Sequence, residues 1–451
     1  MPLMFPPYIV SLLTGFFLVK MILREPIRQN MLFYLSLSAG LGLGISAYAG
    51  YLNFMFLNKF NPAFQISFNL FFCGLSFYGM MLANGKNAAS FLPVKTPLIR
   101  DGTYFLILAT LFVPLGYLAS FYPYGGWDAW AVWHFKAKFM FLAGENWREM
   151  FDPQLWRSSP HYPLLLPLVN VWSWVLQKEP LYYGPMFTSL LFTFITFSLL
   201  VSSLSFFNKD KTALLASCLL LTSSFFAKTS ISQYADVVLG YYLLAGLACL
   251  VISQKKDKEG FALLGGIFVG FLSFTKPEGL IAALLVSLLA VIYLYFLQNK
   301  KLINAFSKSY CIGAAMSLVP SLIYYAFIAP ENMTSINGFL SSTDPSTWLR
   351  LKIVLVFFVL EAVSLKWNGT WILLIILLLL NMKRIFSKWT WIIPAFLAGY
   401  FMAIITYYWM NTYFEILWWL SVTLGRIFAS LLPVMIWWVI YSTKDKSASR
   451  V

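Results

Sequence analysis

Apolar runs of membrane-spanning length recur from Pro6 to Tyr441, separated mostly by short basic turns. A helical span needs about 20 predominantly apolar residues. Lipid offers the backbone no hydrogen-bond partners, so only helices or closed barrels cross it. With 60% hydrophobic and 11% charged residues in a chain of 451, runs of this length predict an all-α polytopic membrane protein.

The formal charge of +15 could suggest nucleic acid, but its distribution gives another reason. If the segments around 20–30, 85–101, 208–211, 254–260, 298–308, 382–388 and the tail after Tyr441 are cytoplasmic, they hold 20 of the 32 Lys and Arg and 6 of the 17 acids. That is the positive-inside asymmetry, and no nucleic-acid partner is needed to explain it. The first run, Pro6 to Val19, has no cationic region before it and no small-residue cleavage site after it. It reads as an uncleaved span with its N-terminus outside. Cys73, Cys218, Cys249 and Cys311 lie in apolar runs without paired spacing and read as small hydrophobes.

Alternation from that start predicts spans near 6–23, 32–57, 64–84, 104–121, 181–207, 212–228, 237–253, 261–274, 280–297, 309–329, 367–382, 391–410 and 428–442. The total of about 13 puts the C-terminus in the cytoplasm. Parity requires that His161 to Leu176 not cross, so it reads as a juxtamembrane stretch at or partly in the outer face. Trp348 to Leu365, which carries Arg350, Lys352 and Glu361, reads as an outer interfacial helix. Residues 1–102 form a three-span extension, and 103–451 a core with an outer loop at 122–160. Gly40 and Gly44 have the small-xxx-small spacing that lets helices approach closely.

On this topology the conspicuous polar groups share one face: Asp128, His134, Glu145, Arg148, Asp152, His161, Asp236, Lys276, Glu278 and Arg426. Ionisable groups at membrane depth are costly and often line substrate paths. Locally, Asp128 follows a Gly pair and could be a helix N-cap, as could Asp236. Lys276 and Arg426 could snorkel to the interface, or Lys276 could pair with Glu278. Trp127, Trp130 and Trp133 could be interfacial anchors.

Five segments in order, GGWDAWAVWHFKAKF, GENWREMF, SSPHYPLLLPL, SQYADVVLGYYLLAG and FTKPEGL, resemble the GT-C-fold membrane glycosyltransferases of bacteria. The superfamily includes aminoarabinose transferases and protein O-mannosyltransferases; the chain is most similar to its less characterised branch, over roughly Thr103 to Tyr441. The resemblance implies a GT-C-like helical bundle in the bacterial inner (plasma) membrane, with an extracytoplasmic site serving cell-envelope glycan biosynthesis. It implies inverting transfer of a hexosyl or pentosyl sugar from a polyprenyl-phosphate donor to a lipid, glycan or protein acceptor. Asp128 matches the catalytic base, which takes the acceptor proton. His161, Tyr162, Lys276, Arg426, Asp236 and Glu278 are the candidates for binding the donor phosphate or substrate, where cations stabilise the departing charge; of these, Asp236 matches a second acidic position of the family. Trp127 and Trp130 suit sugar stacking. Some members use a divalent cation, Mg or Mn, for which Asp128 and Glu145 are candidates. The chain departs from the family at WWLSVTLGR: Trp419 stands where a His is usual, and Gly425 where an Asp is. The alternative class is a polytopic transporter or lipid flippase, but these commonly hold ionisable groups near the midplane in duplicated halves, and no repeat is apparent here.

Overall fold

A computed structural model of the chain describes residues 2–23, 31–84, 102–207, 209–254, 258–296, 300–331, 346–385 and 390–443. Among these every regular element is helical. In chain order they are α1 (Phe5–Ile22), α2 (Met31–Leu57), α3 (Pro62–Asn84), α4 (Gly102–Ser120), α5 (His134–Leu142), α6 (Leu165–Ser173), α7 (Tyr183–Ser205), α8 (Asp210–Thr222) and α9 (Ser224–Ile231). There follow α10 (Ala235–Ile252), α11 (Lys258–Ser273), α12 (Pro277–Phe296), α13 (Lys300–Phe327), α14 (Ser346–Val363), α15 (Thr370–Leu380), α16 (Met382–Ile385), α17 (Ile392–Met410) and α18 (Ile416–Ser442).

The protein is a multi-pass helical membrane protein. Among the described residues, 8 helices are long and apolar enough to cross a bilayer: α1, α2, α3, α7, α10, α13, α17 and α18. A ninth span exists if α8 and α9, bent by 70° at their junction, count as one; Ser223, extended there at φ −68°, ψ 109°, makes the break. The count is thus lower than the 13 expected, because the counterparts in α4, α11, α12 and α15 present only shorter apolar stretches, Leu106–Ser120, Glu259–Ser273, Pro277–Ile292 and Thr370–Leu380. Most of the basic segments assigned to the cytoplasm, and the stretch before the expected boundary at residue 102, lie outside the described residues.

Lipid gives little hydrophobic drive between helices, so close approach of small residues matters instead. A Cβ on Gly42 would lie 1.7 Å from the Ser11 carbonyl oxygen, and one on Gly15 would lie 1.9 Å from that of Ser38. The antiparallel helices α1 and α2 therefore touch backbone to backbone. Gly40 and Gly44 have the packing role expected: a Cβ there would meet the rings of Tyr241 at 2.2 Å and Phe271 at 2.6 Å. Helix α2 is thus packed into the bundle, with the Tyr241 hydroxyl donating to Ser36 O at 2.7 Å and that of Tyr242 to Gly40 O at 2.9 Å. All four cysteines are free.

The segment 122–164 closes one end of this bundle. Trp147 Nε1 donates to Asn58 Oδ1 beyond α2, Leu165 N to Phe274 O after α11, and the Tyr324 hydroxyl near the end of α13 to Tyr162 O. Helix α6 follows it, all nine of its residues buried. At 1.5 Å per residue it rises about 14 Å, far short of the length of a crossing. Helix α14 differs from its expected interfacial lie. Trp348 packs on Trp409, Arg350 Nε donates to Tyr408 O, and Phe358 packs on Phe401, so α14 runs lengthwise and antiparallel along α17. Arg350 caps the last carbonyls of α17, Tyr408 O and Asn411 O, and needs no headgroup interface to explain it.

Candidate functional site

The Gly pair before Asp128 sets the site. Gly125 is left-handed at φ +69°, a conformation glycine adopts without steric cost. A Cβ on Gly125 would lie 2.4 Å from Ser232 O, and one on Gly126 2.2 Å from the Tyr234 hydroxyl. The two glycines thus press the chain onto the strap before α10, where Gly126 N donates to Ser232 O and Gln233 Nε2 to the Tyr122 and Pro123 carbonyls. A five-residue π-turn, Ala129–Trp133, follows, closed by His134 N to Ala129 O. Such turns are often found at functional sites.

Neither acid is a cap. Asp128 has helical dihedrals and its side chain makes no capping hydrogen bond. Asp236 lies within the first turn of α10, whose N-cap is Tyr234. Both carboxylates turn to Arg426 instead: Arg426 Nη1 lies 2.5 Å from Asp128 Oδ2, and its Nε and Nη2 each lie 3.0 Å from Asp236 Oδ2. Lys276 Nζ lies 3.0 Å from Asp236 Oδ1 and 3.4 Å from Glu278 Oε1. The result is one row of alternating charge, Asp128, Arg426, Asp236, Lys276, Glu278. Its middle is sealed, with Asp236 1% and Lys276 6% exposed, while the end carboxylates Asp128 and Glu278 are 25% and 24% exposed. Lys276 snorkels nowhere: burial lowers its pKa, but Asp236 and Glu278 outweigh that and raise it overall. The Arg426 guanidinium also stacks on the Tyr234 ring at 4.4 Å, a planar fit a lysine could not make.

The geometry follows from helix direction. Asp236 meets Arg426, and four residues on in both helices Gly240 meets Ser430, so α10 and α18 run parallel. Arg426 is ten residues into α18 but level with the start of α10.

Tyr162 joins the site. Its hydroxyl is pushed up in pKa by burial first and then by the charges of Glu278 and Asp128, and its ring packs on Trp133. His161 packs edge-on to Tyr162. Burial, then Lys136, draws His161 down to about 3, so it is neutral at pH 7; burial and Lys138 do the same to His134. Trp127 and Trp130 are exposed, ring to ring at 4.5 Å, whereas Trp133 is buried.

Glu145 is not brought into the row: it pairs with Lys59 at 3.1 Å on an exposed surface, and Asp152 accepts from Gln154 N. Among the described residues no three His, Cys, Asp or Glu side chains gather as a metal-holding group, and the Asp128 oxygen nearest a cation already faces a guanidinium.

Four further participants, Lys136, Lys366, Trp156 and Arg157, carry little signal in the sequence. Lys136 is buried and donates to the carbonyls of Ser159, Pro160 and Tyr162 at 2.7, 3.2 and 2.9 Å. Burial pulls its pKa well down, yet three acceptors match the three N–H donors that only the ammonium form has. Lys366 pairs with Glu361 at 2.8 Å, and a Cβ on Gly425 would lie 2.7 Å from Lys366 Nζ. The glycine at 425 therefore makes room for a lysine beside Arg426. Trp156 and Arg157, from the turn Pro153–Ser158, wall a cleft of about 480 Å³ with Trp127, Trp130, Phe135 and Gln154.

Compared with protein-family models, curated proteins and solved structures, the chain matches none of them.

Proposed function

We propose that this chain is a membrane glycosyltransferase of GT-C type, which moves a sugar from a polyprenyl-phosphate donor to an acceptor outside the cytoplasm with inversion. In this reading α4, α11, α12 and α15 complete a bundle of about 13 spans in a bacterial plasma membrane, N-terminus out and C-terminus in. The observation that carries it is Asp128: it forgoes the cap its position offers and is held by Arg426 at the part-exposed end of a buried charge row, one residue from an aromatic cleft.

The chemistry balances within that row. Asp128 takes the acceptor hydroxyl proton as the oxygen attacks the anomeric carbon. The bond from that carbon to the phosphate oxygen breaks, and the phosphate leaves with the electron pair. Protonation neutralises Asp128 and frees the Arg426 Nη1 it had held. That donor can then turn to the leaving phosphate, where preorganised charge stabilises most. Lys276 is the second cation, and neutral His161 and Tyr162 offer hydrogen bonds rather than charge. Asp236 keeps both cations aligned. The row carries three carboxylates against two cations, so the proton reaching Asp128 is what tips it toward accepting an anion.

The test is mass spectrometry of envelope glycolipids and glycans with and without the protein, followed by assay of the missing linkage with Asp128→Asn. Loss of transfer in a folded Asp128→Asn protein is the expected result, and turnover like that of the unaltered protein would sink the assignment.

A further inference from the structure

The cleft beside Asp128 has two walls. Trp127, Trp130, Ala131 and Phe135 recur at i, i+3, i+4 and i+8 and form one face of the π-turn and α5. Asp128 lies about a third of a turn round from Trp127, toward the bundle. The opposite wall is the turn from Gln154 to Ser158. Trp127, Trp130 and Trp156 are 56%, 49% and 52% exposed, and the three indoles line one concavity. Among the described residues Arg157 is the one charged residue that lines it, its guanidinium 5.2 Å from the Trp156 ring centroid. The walls are fixed to each other: Lys136, on α5 beyond the first wall, holds the Ser159 and Pro160 carbonyls just after the second. A cleft of about 480 Å³ lies within the roughly 300–1,000 Å³ of small-ligand sites.

We propose that this cleft is the acceptor subsite and that its occupant is a saccharide bearing an anionic substituent, carboxylate or phosphate. Indole faces stack on pyranose rings, whose axial C–H groups are apolar. Gln154 offers an amide to ring hydroxyls, and Arg157 offers a planar fork that matches either oxyanion. The proposal rests on Asp128 being the base, the residue next in the chain to Trp127 on the first wall.

The experiment is calorimetric titration of the full-length protein in nanodiscs with three probes of equal length: a glucuronate-containing tetrasaccharide, a phosphorylated tetrasaccharide and a neutral one. At least one anionic probe is expected to bind about tenfold or more tightly than the neutral one, as a charged hydrogen bond gives. Which one does so identifies the substituent. Arg157→Gln is expected to erase that preference while neutral binding persists, Trp156→Ala to weaken all probes about tenfold, and Trp156→Phe to restore most of the loss. Both side chains are exposed, so the fold should tolerate these changes. Equal binding of all probes, or binding indifferent to both positions, overturns the proposal. Asp128→Asn separates the two readings. Full transfer in that variant with the saccharide still bound fells the base and leaves the subsite; lost transfer, in a protein that binds no saccharide, fells the subsite alone.

Discussion

The two aspartates that share Arg426 should differ sharply in what they contribute to stability. Asp236 is 1% exposed and faces Arg426 and Lys276, each at 3.0 Å. At an effective dielectric of about 20, each pair is worth about 5 kcal/mol of gross attraction, much of it offset by desolvation. Asp236→Asn keeps the shape but leaves two buried cations short of a counter-charge, which costs about 3–5 kcal/mol. Asp128 is 25% exposed, and without its charge Arg426 still has Asp236. Solvent screens such a site, so Asp128→Asn should cost about 1 kcal/mol or less. The predicted gap of at least about 2 kcal/mol is measurable as equilibrium unfolding of the full chain in mixed micelles with rising SDS, read by near-ultraviolet dichroism of the tryptophans. A cycle adds a second number: Asp236→Asn with Lys276→Met should show a coupling of about 1–3 kcal/mol. Equal costs for the two aspartates would refute the reasoning, because Asp128 would then be a structural partner of Arg426 rather than a carboxylate kept for chemistry.

Two further outcomes test the fold. Gly42→Ala should destabilise by about 1–3 kcal/mol, since its new Cβ would lie 1.7 Å from the Ser11 carbonyl oxygen, while Gly74→Ala, with nothing within 4 Å, should not; the same unfolding assay compares them, and similar values would discount backbone contact between α1 and α2. His134 and His161 are each drawn from 6.5 to about 3 in the folded chain. Below pH 6.5 the unfolded chain binds protons that the folded chain refuses. Their contribution is therefore complete above about 6.5 and is lost as the pH falls toward 3. Unfolding midpoints at pH 7.5 and 4.5 should show that fall, and the double variant His134→Gln, His161→Gln should flatten it; an unchanged slope in the variant would count against buried neutral imidazoles.

How much was legible in the sequence depends on the range of the interaction involved. Run length and charge asymmetry are local sums, and they determined the membrane class and picked out the polar groups that gather at one end of the bundle. The same bookkeeping misplaced α14, because Arg350 serves the α17 carbonyls and Glu361 serves Lys366 and Trp367, partners that a hydropathy window does not contain. Asp128, Asp236, Lys276, Glu278 and Arg426 were nameable from sequence as charged residues in costly places. Their order in one row was not: Lys276 meets Asp236 across 40 residues, and Arg426 meets Asp236 across 190 and Asp128 across 298. Local reasoning left a cap open as one reading of each acid, since the capping preference is intrinsic to position, whereas the pull of a buried guanidinium exists only once α18 lies parallel to α10. Gly425 likewise read as a lost acid, and only packing shows Lys366 in the space it leaves. Composition and chain order selected the residues and the end of the bundle they share; close packing decided which charges touch, because Coulomb energy depends on distances of a few ångströms that sequence separation does not encode.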